Sequence, residues 1–599
     1  MGSVSLGESV GIKEEVIKKA CSMAMKAHNK TSGKQLYVSE KIRPSSEIVF
    51  SFPGSWFVTD WFSKGPFGEV EVDLQLLPSL KHVGLNGTAT VNEAFLLRFK
   101  ALVANPQFRK EVGTAVMDGK QVVFTGHSLG GPIAILAAIW FLDEYIRPDT
   151  SRRPPLCVTF GSPLVGDRIM SHAVRRESWS RYFINFVMKY DIVPRISLTP
   201  LSSIQQQLQL ILNFFNSKSL LEPVHEAVNF YVTVMRNVSS VASHAACKIM
   251  GSTNLLLETL SSFMGLSPYR PFGTYVFCTG NGKLVVIRNP DAVLQLLFYT
   301  SQLNSEAELS VVAQSSLKDH LNYKDELEES LQMQTVTCLE NHHLEALPLS
   351  SDDMTAESNL ALNDLGLSAR ARLCLRATGE LEKQKSNNQR AIDKKMADIE
   401  HGVANLQGYK KRCQHKVGYY DAFKLSEDRE EFDANVERLK LAGIWDEIIE
   451  MLKRYELPDE FEGRKAWIDV GTKYRRIVEP LDIANYYRHL KNEDTGPYME
   501  RGRPKRYKCT QRWREHAERM SNESLESCFW AEVEELCMKA GSLGIRENVL
   551  RLKSQVEEWI RDGVQDQDVF LKGSTFDKLL KEHFLTNLGQ PPAFQGSWS

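Results

Sequence analysis

The chain lacks both the cysteine spacing and the apolar leader that are typical of secreted or membrane-bound proteins. Its ten cysteines are scattered without a paired C-x-x-C spacing, so we expect reduced thiols and no structural disulfides. The opening residues, MGSVSLGESVGIKEEVIKKACSMAMKAH, contain no continuous apolar stretch, which argues against a signal peptide or a membrane span there. Leu6 stands where a myristoylation signal requires serine or threonine. We therefore expect an intracellular protein without a lipid anchor.

The sequence also lacks an excess of charge of either sign. Lys and Arg number 73 against 75 Asp and Glu, for a formal net charge of -2. This balance gives no overall attraction to nucleic acid or membranes, so no DNA partner is expected. Because 599 residues are too many for one hydrophobic core, we expect about two to four domains. No internal repeat has a solenoid period, which favours compact domains.

The first half of the chain alternates between β-rich and helical stretches. The β-rich runs are EIVFSF, QVVFTG, LCVTFGS, FINFVM and TYVFCT. This alternation predicts an α/β domain. From about residue 321 to 365 the sequence turns polar and loses its periodicity, which predicts a linker in which His342 and His343 are solvated. We assign residues 1–365 to the α/β domain with its linker.

Strands nearly disappear from Leu367 onward. The remaining sequence is rich in Ala, Glu, Lys and Arg, with apolar residues at helical spacing. Examples are FDANVERLKLAGIWDEIIEMLKRY and ESCFWAEVEELCMKA. Residues 366–599 are therefore predicted to form an all-α helical bundle domain.

One stretch in the first half, VVFTGHSLGG at 122–131, carries the G-x-S-x-G pattern. Small residues on both sides of a serine let a strand turn sharply into a helix, so Ser128 would present its hydroxyl at the end of the strand. The following PIAILAAIWFLDEYI begins with proline and continues with strong helix formers. The five-residue pattern alone is common by chance, but its strand-turn-helix context favours a catalytic nucleophile.

A serine nucleophile needs a base and an orienting carboxylate, which in this arrangement follow it in the order Asp, then His. Asp191 in DIVPR comes directly after a predicted strand, and His320 in SSLKDHLNY lies near the end of the domain. Taken singly, Asp191 could begin a turn and His320 could be a surface residue. In chain order with Ser128 they predict a triad. The competing acids and bases are His225, His244 and Asp319.

Three of these segments resemble the class of lipases that carry a GHSLGG serine. They are GHSLGG at 126–131, VTFGSPLVGD at 158–167 and DIVPR at 191–195. The resemblance implies an α/β-hydrolase (lipase-like) domain. It also implies an oxyanion hole built from backbone N–H groups near Ser55 and Leu129. Such lipases have an R-G-T or R-G-S element after the preceding strand, whereas this chain has Pro53 where the arginine would be.

Longer segments in both halves resemble the plant Enhanced Disease Susceptibility family of immune regulators. They include ETLSSFMGLSPYRP, ANVERLKLAGIWDE, LPDEFEG and, most specifically, VEPLDIANYYRHLKNEDTGPYMERGRP at 478–504. The resemblance implies a heterodimer with a lipase-like paralogue of the Phytoalexin Deficient or Senescence-Associated type. It also implies signalling through helper immune receptors, in the cytoplasm and the nucleus, that does not depend on ester hydrolysis. Self-association as a homodimer is the alternative.

In that family one amphipathic helix of the lipase-like domain enters a groove on the partner, and STNLLLETLSSFMGL is the matching segment here. Leu256, Leu260, Phe263 and Met264 fall on one face of this predicted helix. Taken alone, such an apolar stripe more often packs inside its own domain. The resemblance favours a partner-binding surface.

A second candidate site lies in a basic loop rich in Gly and Pro. Its cations are Lys491, Arg501, Arg503, Lys505 and Arg506. Such a cluster can bind phosphate, although a solvated surface loop or a nuclear import signal has the same composition. The resembling family binds ribosylated adenine nucleotides between its helical domains, and the matching positions are Phe432, His489, Lys491 and Arg506.

Two classes of function follow from these patterns. The chain is either a signalling scaffold that uses a lipase fold to bind a partner, or a serine esterase that uses Ser128, Asp191 and His320. The helical half, which a simple lipase does not need, and Pro53 both favour the scaffold. We expect no metal ion and no cofactor in either case.

Overall fold

The computed structural model of the chain describes residues 5–29, 35–41, 46–216, 224–251, 265–303, 308–347, 357–414, 417–425, 429–520, 522–539 and 544–584. The chain forms two compact units, Met1–His82 with Asn86–Lys385, and Val83–Leu85 with Ser386–Ser599. All ten cysteines are free thiols. No helix within the described ranges is both long and apolar enough to cross a membrane.

The strands all belong to the first unit. They are β1 Val38–Lys41, β2 Glu47–Phe52, β3 Glu69–Glu71, β4 Lys81–His82, β5 Gly87–Thr88, β6 Thr90–Asn92, β7 Gln121–His127, β8 Leu156–Phe160, β9 Phe183–Met188, β10 Thr274–Cys278, β11 Lys283–Ile287 and β12 Thr335–Leu339. Eight of them form one sheet in the order β1-β2-β7-β8-β9-β10-β11-β12. Its pairs are parallel except β1 with β2 and β10 with β11.

The central strand β7 is buried on both faces, which explains its unbroken apolar run. Val122 and Phe124 pack in the core on one side of the sheet. Val123, which points the opposite way, packs in a second core together with Ile17 and Ala24 of an N-terminal helix. Both faces of the sheet are therefore covered, and the strand ends are the places left for a site.

The helices of the first unit lie between and around these strands. They are α1 Leu6–Val10, α2 Glu14–Asn29, α3 Glu93–Ala104, α4 Pro106–Met117, α5 Gly130–Phe141, α6 Arg168–Arg176, α7 Val193–Ile196, α8 Leu201–Phe215, α9 Val224–Ile249, α10 Pro290–Tyr299, α11 Leu309–Leu321, α12 Tyr323–Met333, α13 Asn341–Glu345, α14 Glu357–Asp364 and the first part of α15 Ala369–Lys394. The predicted α/β class of this half is confirmed.

The linker predicted from about residue 321 to 365 is wrong. Its described part holds α12, β12, α13 and α14. Strand β12 pairs in parallel with β11 and closes one edge of the main sheet. The segment is polar because an edge strand and its flanking short helices keep one side in water, and polarity of that kind is easily mistaken for a linker. His342 is exposed, as predicted, and His343 is partly buried.

The second unit contains only helices among its described residues. They are α16 Met396–Cys413, α17 Tyr419–Leu425, α18 Arg429–Lys453, α19 Lys465–Arg488, α20 Lys491–Thr495, α21 Lys505–Glu518, α22 Phe529–Met538, α23 Ile545–Arg561 and α24 Thr575–Phe584. The all-α prediction for this half is confirmed. Trp445 of α18 stacks on Tyr474 of α19 with 5.2 Å between ring centroids, and both belong to the core of this unit.

The division between the units falls after Lys385, inside α15, whereas the sequence placed it after residue 365. Leu375, early in α15, packs in the core of the first unit. Ile392, near its end, packs in the core of the second. A continuous helical pattern carries no mark of such a change, because apolar spacing is the same whichever core a helix turn faces.

Candidate active site

Ser128 stands between β7 and α5 in a backbone conformation that L-residues rarely adopt. Its φ is +55°, in the left-handed region that costs a side chain about 1–2 kcal/mol. The Ser128 N–H donates to the carbonyl of Phe160 at 3.0 Å, and the Ser128 carbonyl accepts from Gly131 N–H at 2.9 Å. The sharp turn predicted from G-x-S-x-G is present and held by these two bonds.

The glycines around Ser128 are required by close backbone contacts. A Cβ on Gly126 would lie 2.2 Å from the carbonyl group of Gly130, and a Cβ on Gly130 would lie 2.2 Å from the carbonyl oxygen of Phe52. Both distances are far inside van der Waals contact. The motif therefore lets α5 start directly against the ends of β2 and β7.

Asp191 and His320 are brought together although 129 residues separate them. Asp191 follows β9, and its two carboxylate oxygens lie 3.1 and 3.0 Å from His320 Nδ1. The Val193 N–H donates to Asp191 Oδ1 at 2.8 Å. Both side chains are fully buried. A carboxylate at this position orients the imidazole and leaves Nε2 as the basic nitrogen.

Tyr323, which the sequence analysis did not single out, is a further partner of Asp191. Its hydroxyl donates to Asp191 Oδ2 at 2.6 Å and accepts from the Met188 N–H at 3.0 Å. Burial, and then the charge of Asp191, raise the pKa of Tyr323 far above its usual range, so it remains a donor. Its position only three residues after His320 in the chain was the available signal.

The nucleophile and the base are buried without engaging each other. Ser128 is 0% exposed. Ser128 Oγ and His320 Nε2 have no hydrogen-bond partner among the described residues. General-base catalysis requires a hydrogen bond from that hydroxyl to that nitrogen. The three side chains thus have the composition of a triad, with its Asp–His half assembled and its Ser–His half not.

Two of the competing residues lie on α9, and the third, Asp319, directly precedes His320. His225 is an exposed residue of α9, near Asn229, and His244 lies further along the same helix. Asp319 accepts a hydrogen bond from Tyr190 N–H at 3.2 Å. Burial, opposed by that bond and reinforced by the charges of Asp191 and Glu326, raises the pKa of Asp319 to about 7.

Of the two predicted oxyanion positions, Leu129 is next to Ser128 in the chain and Ser55 lies in the loop after β2. Leu129 directly precedes α5, so its N–H belongs to the helix start, where amides lack intrahelical acceptors. Ser55 follows β2, and its hydroxyl donates to Asp60. The Ser55 carbonyl accepts from Trp61 Nε1 at 3.1 Å, and the Pro53 carbonyl accepts from Arg98 at 3.2 Å. The loop that contains Pro53 is thus held by side chains.

Comparison with known proteins decides the family. A model of class 3 lipases matches residues 49–200, and a model of the Enhanced disease susceptibility 1 protein EP domain matches residues 404–590. Protein EDS1B of Arabidopsis thaliana is 43% identical, over 93% of this chain and 93% of its own. The chain belongs to the Enhanced Disease Susceptibility 1 family. It is a plant-defence protein with a lipase-like α/β-hydrolase domain.

Two lipase-like proteins of Arabidopsis thaliana are also similar to this chain. Lipase-like PAD4 is 26% identical, over 69% of this chain and 64% of its own. Senescence-associated carboxylesterase 101 is 25% identical, over 82% and 74%. The resemblance predicted from GHSLGG, DIVPR and the helical half is confirmed at the level of the family.

The predicted partner-binding stripe of this chain lies outside the described residues. This applies to Leu256, Leu260, Phe263 and Met264.

The four predicted nucleotide-binding residues lie in the second unit of this chain. Phe432 of α18 is 66% exposed, and His489 and Lys491 are also exposed. Arg506 is different, because its guanidinium contacts Asp482 at 2.6 Å and Asp446 at 2.9 Å with 12% of its side chain exposed. Within the part of the chain that the structure describes, no hydrogen bond or ion pair joins any of the four to another.

Proposed function

We propose that this protein regulates plant innate immunity as the scaffold of a heterodimer with a lipase-like paralogue, and that ester hydrolysis is dispensable. The observation that carries the proposal is its likeness to Protein EDS1B over 93% of both chains, which includes the helical unit. A lipase alone has no need of that unit. The paralogue would be of the kind represented by Lipase-like PAD4 or Senescence-associated carboxylesterase 101.

The state of Ser128 supports a non-enzymatic role. A nucleophile has to reach a substrate, and Ser128 is 0% exposed. Its hydroxyl is also without a partner among the described residues, and so is His320 Nε2. A scaffold can keep these side chains as part of a packed interior.

The scaffold proposal is tested first by complementation in a plant that lacks the endogenous protein. Ser128→Ala removes one buried hydroxyl that has no partner, so the fold should survive. We expect this variant to restore immunity as well as the wild type does. Ser63→Ala, at an exposed serine, is the matched control. A Ser128→Ala protein that accumulates normally and fails to restore immunity would show that the serine acts chemically.

The proposed partner surface is the stripe Leu256, Leu260, Phe263 and Met264. Replacing Leu260 and Phe263 by alanine removes two large apolar contacts, and interface anchors of that size often cost 2 kcal/mol or more, so co-purification with the paralogue should be lost. Val311→Ala, at an exposed apolar residue of α11, is the control. Unchanged co-purification of the Leu260/Phe263 variant would remove this stripe from the interface and leave a homodimer to be tested.

The proposed ligand is a ribosylated adenine nucleotide bound through Phe432, His489, Lys491 and Arg506. An aromatic face can stack on the base, and cations can hold the phosphates. Since Asp446 and Asp482 already hold Arg506, the exposed His489 and Lys491 are better placed to meet phosphate first. Binding would order the heterodimer for recognition by a helper immune receptor, in the cytoplasm and the nucleus.

Lys491→Ala tests the nucleotide site without disturbing the core. Calorimetric titration of the reconstituted heterodimer with the nucleotide should show an affinity about tenfold lower for this variant, as expected for one lost phosphate contact. Lys473→Ala, at an exposed lysine of α19, should bind as the wild type does. Equal affinities for all three proteins would place the nucleotide elsewhere.

The second candidate function is a serine esterase. It is favoured by the φ of +55° at Ser128 and by the Asp191–His320 pair at 3.0 Å, which are the geometry of a nucleophile elbow and its base. A fluorophosphonate probe would label Ser128 of an active esterase and leave Ser128→Ala unlabelled. The scaffold proposal expects no labelling of the wild type at neutral pH.

A further inference from the structure

Two buried histidines form a chain of contacts between two backbone carbonyls beside Ser128. His28 Nε2 of α2 lies 3.3 Å from the carbonyl oxygen of Phe215, the last residue of α8. His28 Nδ1 lies 2.7 Å from Nδ1 of His127 at the end of β7. His127 Nε2 lies 2.6 Å from the carbonyl oxygen of His320. The pair therefore connects the end of α8 to the residue that carries the candidate base.

The pair has one proton too few for these contacts. Three contacts in a row between two acceptors need three N–H groups, and two neutral imidazoles supply two. The shortest contact to a carbonyl, 2.6 Å, assigns an N–H to His127 Nε2. His127 Nδ1 must then accept from His28 Nδ1–H. His28 Nε2 is left with a lone pair that faces an acceptor, at the longest of the three distances, 3.3 Å.

Exclusion of water keeps the pair neutral while α8 is in place. His28 is 3% exposed and His127 is 0% exposed. Burial, and then the charge of His320, lower the pKa of His28 to about 3. Burial, followed by the charges of His320 and His28, lowers the pKa of His127 well below its usual range. A proton on His28 would complete the third hydrogen bond, but the cost of burying the charge exceeds that gain.

The groups that face the pair do not offset this cost. His320 of α11 stacks on His127 with 4.3 Å between centroids, and Tyr323 of α12 meets His127 edge to face at 5.7 Å. On the other side His28 meets the ring of Trp56 at 4.5 Å. Asp191 contacts His320, and no carboxylate within the described ranges contacts His28 or His127. A positive charge on the pair would have no counter-ion.

We propose that the His28–His127 pair is an acid-sensitive latch that releases the C-terminal end of α8 from the Ser128 site. The ring of Phe215 packs against His320 with 4.5 Å between centroids, so α8 covers the base as well as His28. When this end lifts, His28 meets water and can take up a proton near the ordinary histidine pKa of about 6.5.

The direction of the pH dependence follows from the difference in the pKa of His28 between the two states of α8. The pKa of His28 is lower with α8 in place than with α8 released, so protons bind the released state and acid favours it. Below about pH 6.5 the equilibrium should move about tenfold toward release for each pH unit. Acidification would thereby expose Ser128 and His320, which are sealed at neutral pH. This inference holds whether or not Ser128 hydrolyses an ester.

Hydrogen exchange of the full chain between pH 7.5 and pH 5, corrected for the intrinsic pH dependence of exchange, tests the latch. In the wild type the protection of the last turn of α8 should fall about tenfold per pH unit below 6.5, relative to β7. His28→Gln, which cannot be protonated, should abolish this trend. His225→Gln, at an exposed histidine of α9, should keep it.

Three outcomes would overturn the proposal. They are an α8 protection that does not depend on pH, one that rises as the pH falls, and one that falls equally in His28→Gln. If His28→Gln fails to fold, exchange of the imidazole C2 hydrogen in the wild type measures the pKa of His28 directly. A value near 6.5 in the native protein would equally overturn the latch, because His28 would then have the same pKa in both states of α8 and acid would favour neither.

Discussion

The Tyr323 hydroxyl donates a 2.6 Å hydrogen bond to Asp191 Oδ2, the same oxygen that lies 3.0 Å from His320 Nδ1. Asp191 therefore contacts a histidine near the end of α11 and a tyrosine at the start of α12. This arrangement fixes the carboxylate from two sides inside a buried interior.

Tyr323→Phe should destabilise the first unit by about 1.5–3 kcal/mol, because it leaves the buried Met188 N–H without a partner and removes one of the two partners of Asp191 Oδ2. Chemical denaturation, followed by a signal from the first unit, measures this change. Tyr182→Phe, at a partly buried tyrosine whose hydroxyl accepts from Arg181, should cost less than about 0.5 kcal/mol. Equal effects of the two variants would show that the Asp191 contact contributes little.

Ser128→Gly should be more stable than Ser128→Ala by about 0.5–1 kcal/mol. At φ +55° a Cβ is strained and glycine is not. Both variants lack the hydroxyl, so the comparison isolates the backbone term. Thermal denaturation of the two proteins measures the difference, and the reverse order of stability would mean that Ser128 is not strained.

Gly126→Ala should prevent the first unit from folding or cost more than about 3 kcal/mol, since the new methyl would lie 2.2 Å from the Gly130 carbonyl. Gly113→Ala is the matched control. Gly113 lies inside α4, and the nearest atom to its Cβ position is 3.9 Å away. That variant should gain about 0.5–1 kcal/mol from helix propensity. A well-folded Gly126→Ala protein with unchanged stability would contradict the packing at the turn.

Asp319→Asn should stabilise the first unit more at pH 8 than at pH 5. The folded-state pKa of about 7 lies above the unfolded value, so the aspartic acid contributes stability below the unfolded pKa and loses it as the pH rises toward 7. Asparagine carries no charge and can still accept from Tyr190 N–H. We expect a gain of about 1–2 kcal/mol at pH 8, measured as a shift of the denaturation midpoint. A gain that is equal at both pH values would exclude titration as its cause.

Arg506→Ala should destabilise the second unit by about 1–3 kcal/mol, because it removes an ion pair shared with Asp446 and the buried Asp482. Lys491→Ala should change stability by less than about 0.5 kcal/mol, since Lys491 is exposed. Urea denaturation of the second unit compares them. If Arg506→Ala is as stable as Lys491→Ala, a loss of function at Arg506 can be assigned to the ligand rather than to the fold.

The local features of the candidate site could be predicted because the chemistry is written in adjacent residues. Gly126, Ser128 and Gly130 specify a turn through the space that each Cβ would need. Asp191 could be placed because it follows a strand. The strand β12 could not be predicted from the sequence, because TVTCL is short and its neighbours in the chain are polar. Its place in the sheet is set by pairing with β11, which is distant in the chain.

The sequence by itself determined the two-part architecture, the turn at Ser128 and the membership of a plant-defence family, because periodicity, glycine spacing and long similar segments are all properties of neighbouring residues. Only the tertiary structure decided that it is His320 that lies 3.0 Å from Asp191. It also decided that Phe215 and the His28–His127 pair lie against that histidine. Those choices depend on which helices pack over the strand ends, and packing is set by the summed burial of many distant side chains rather than by any local pattern.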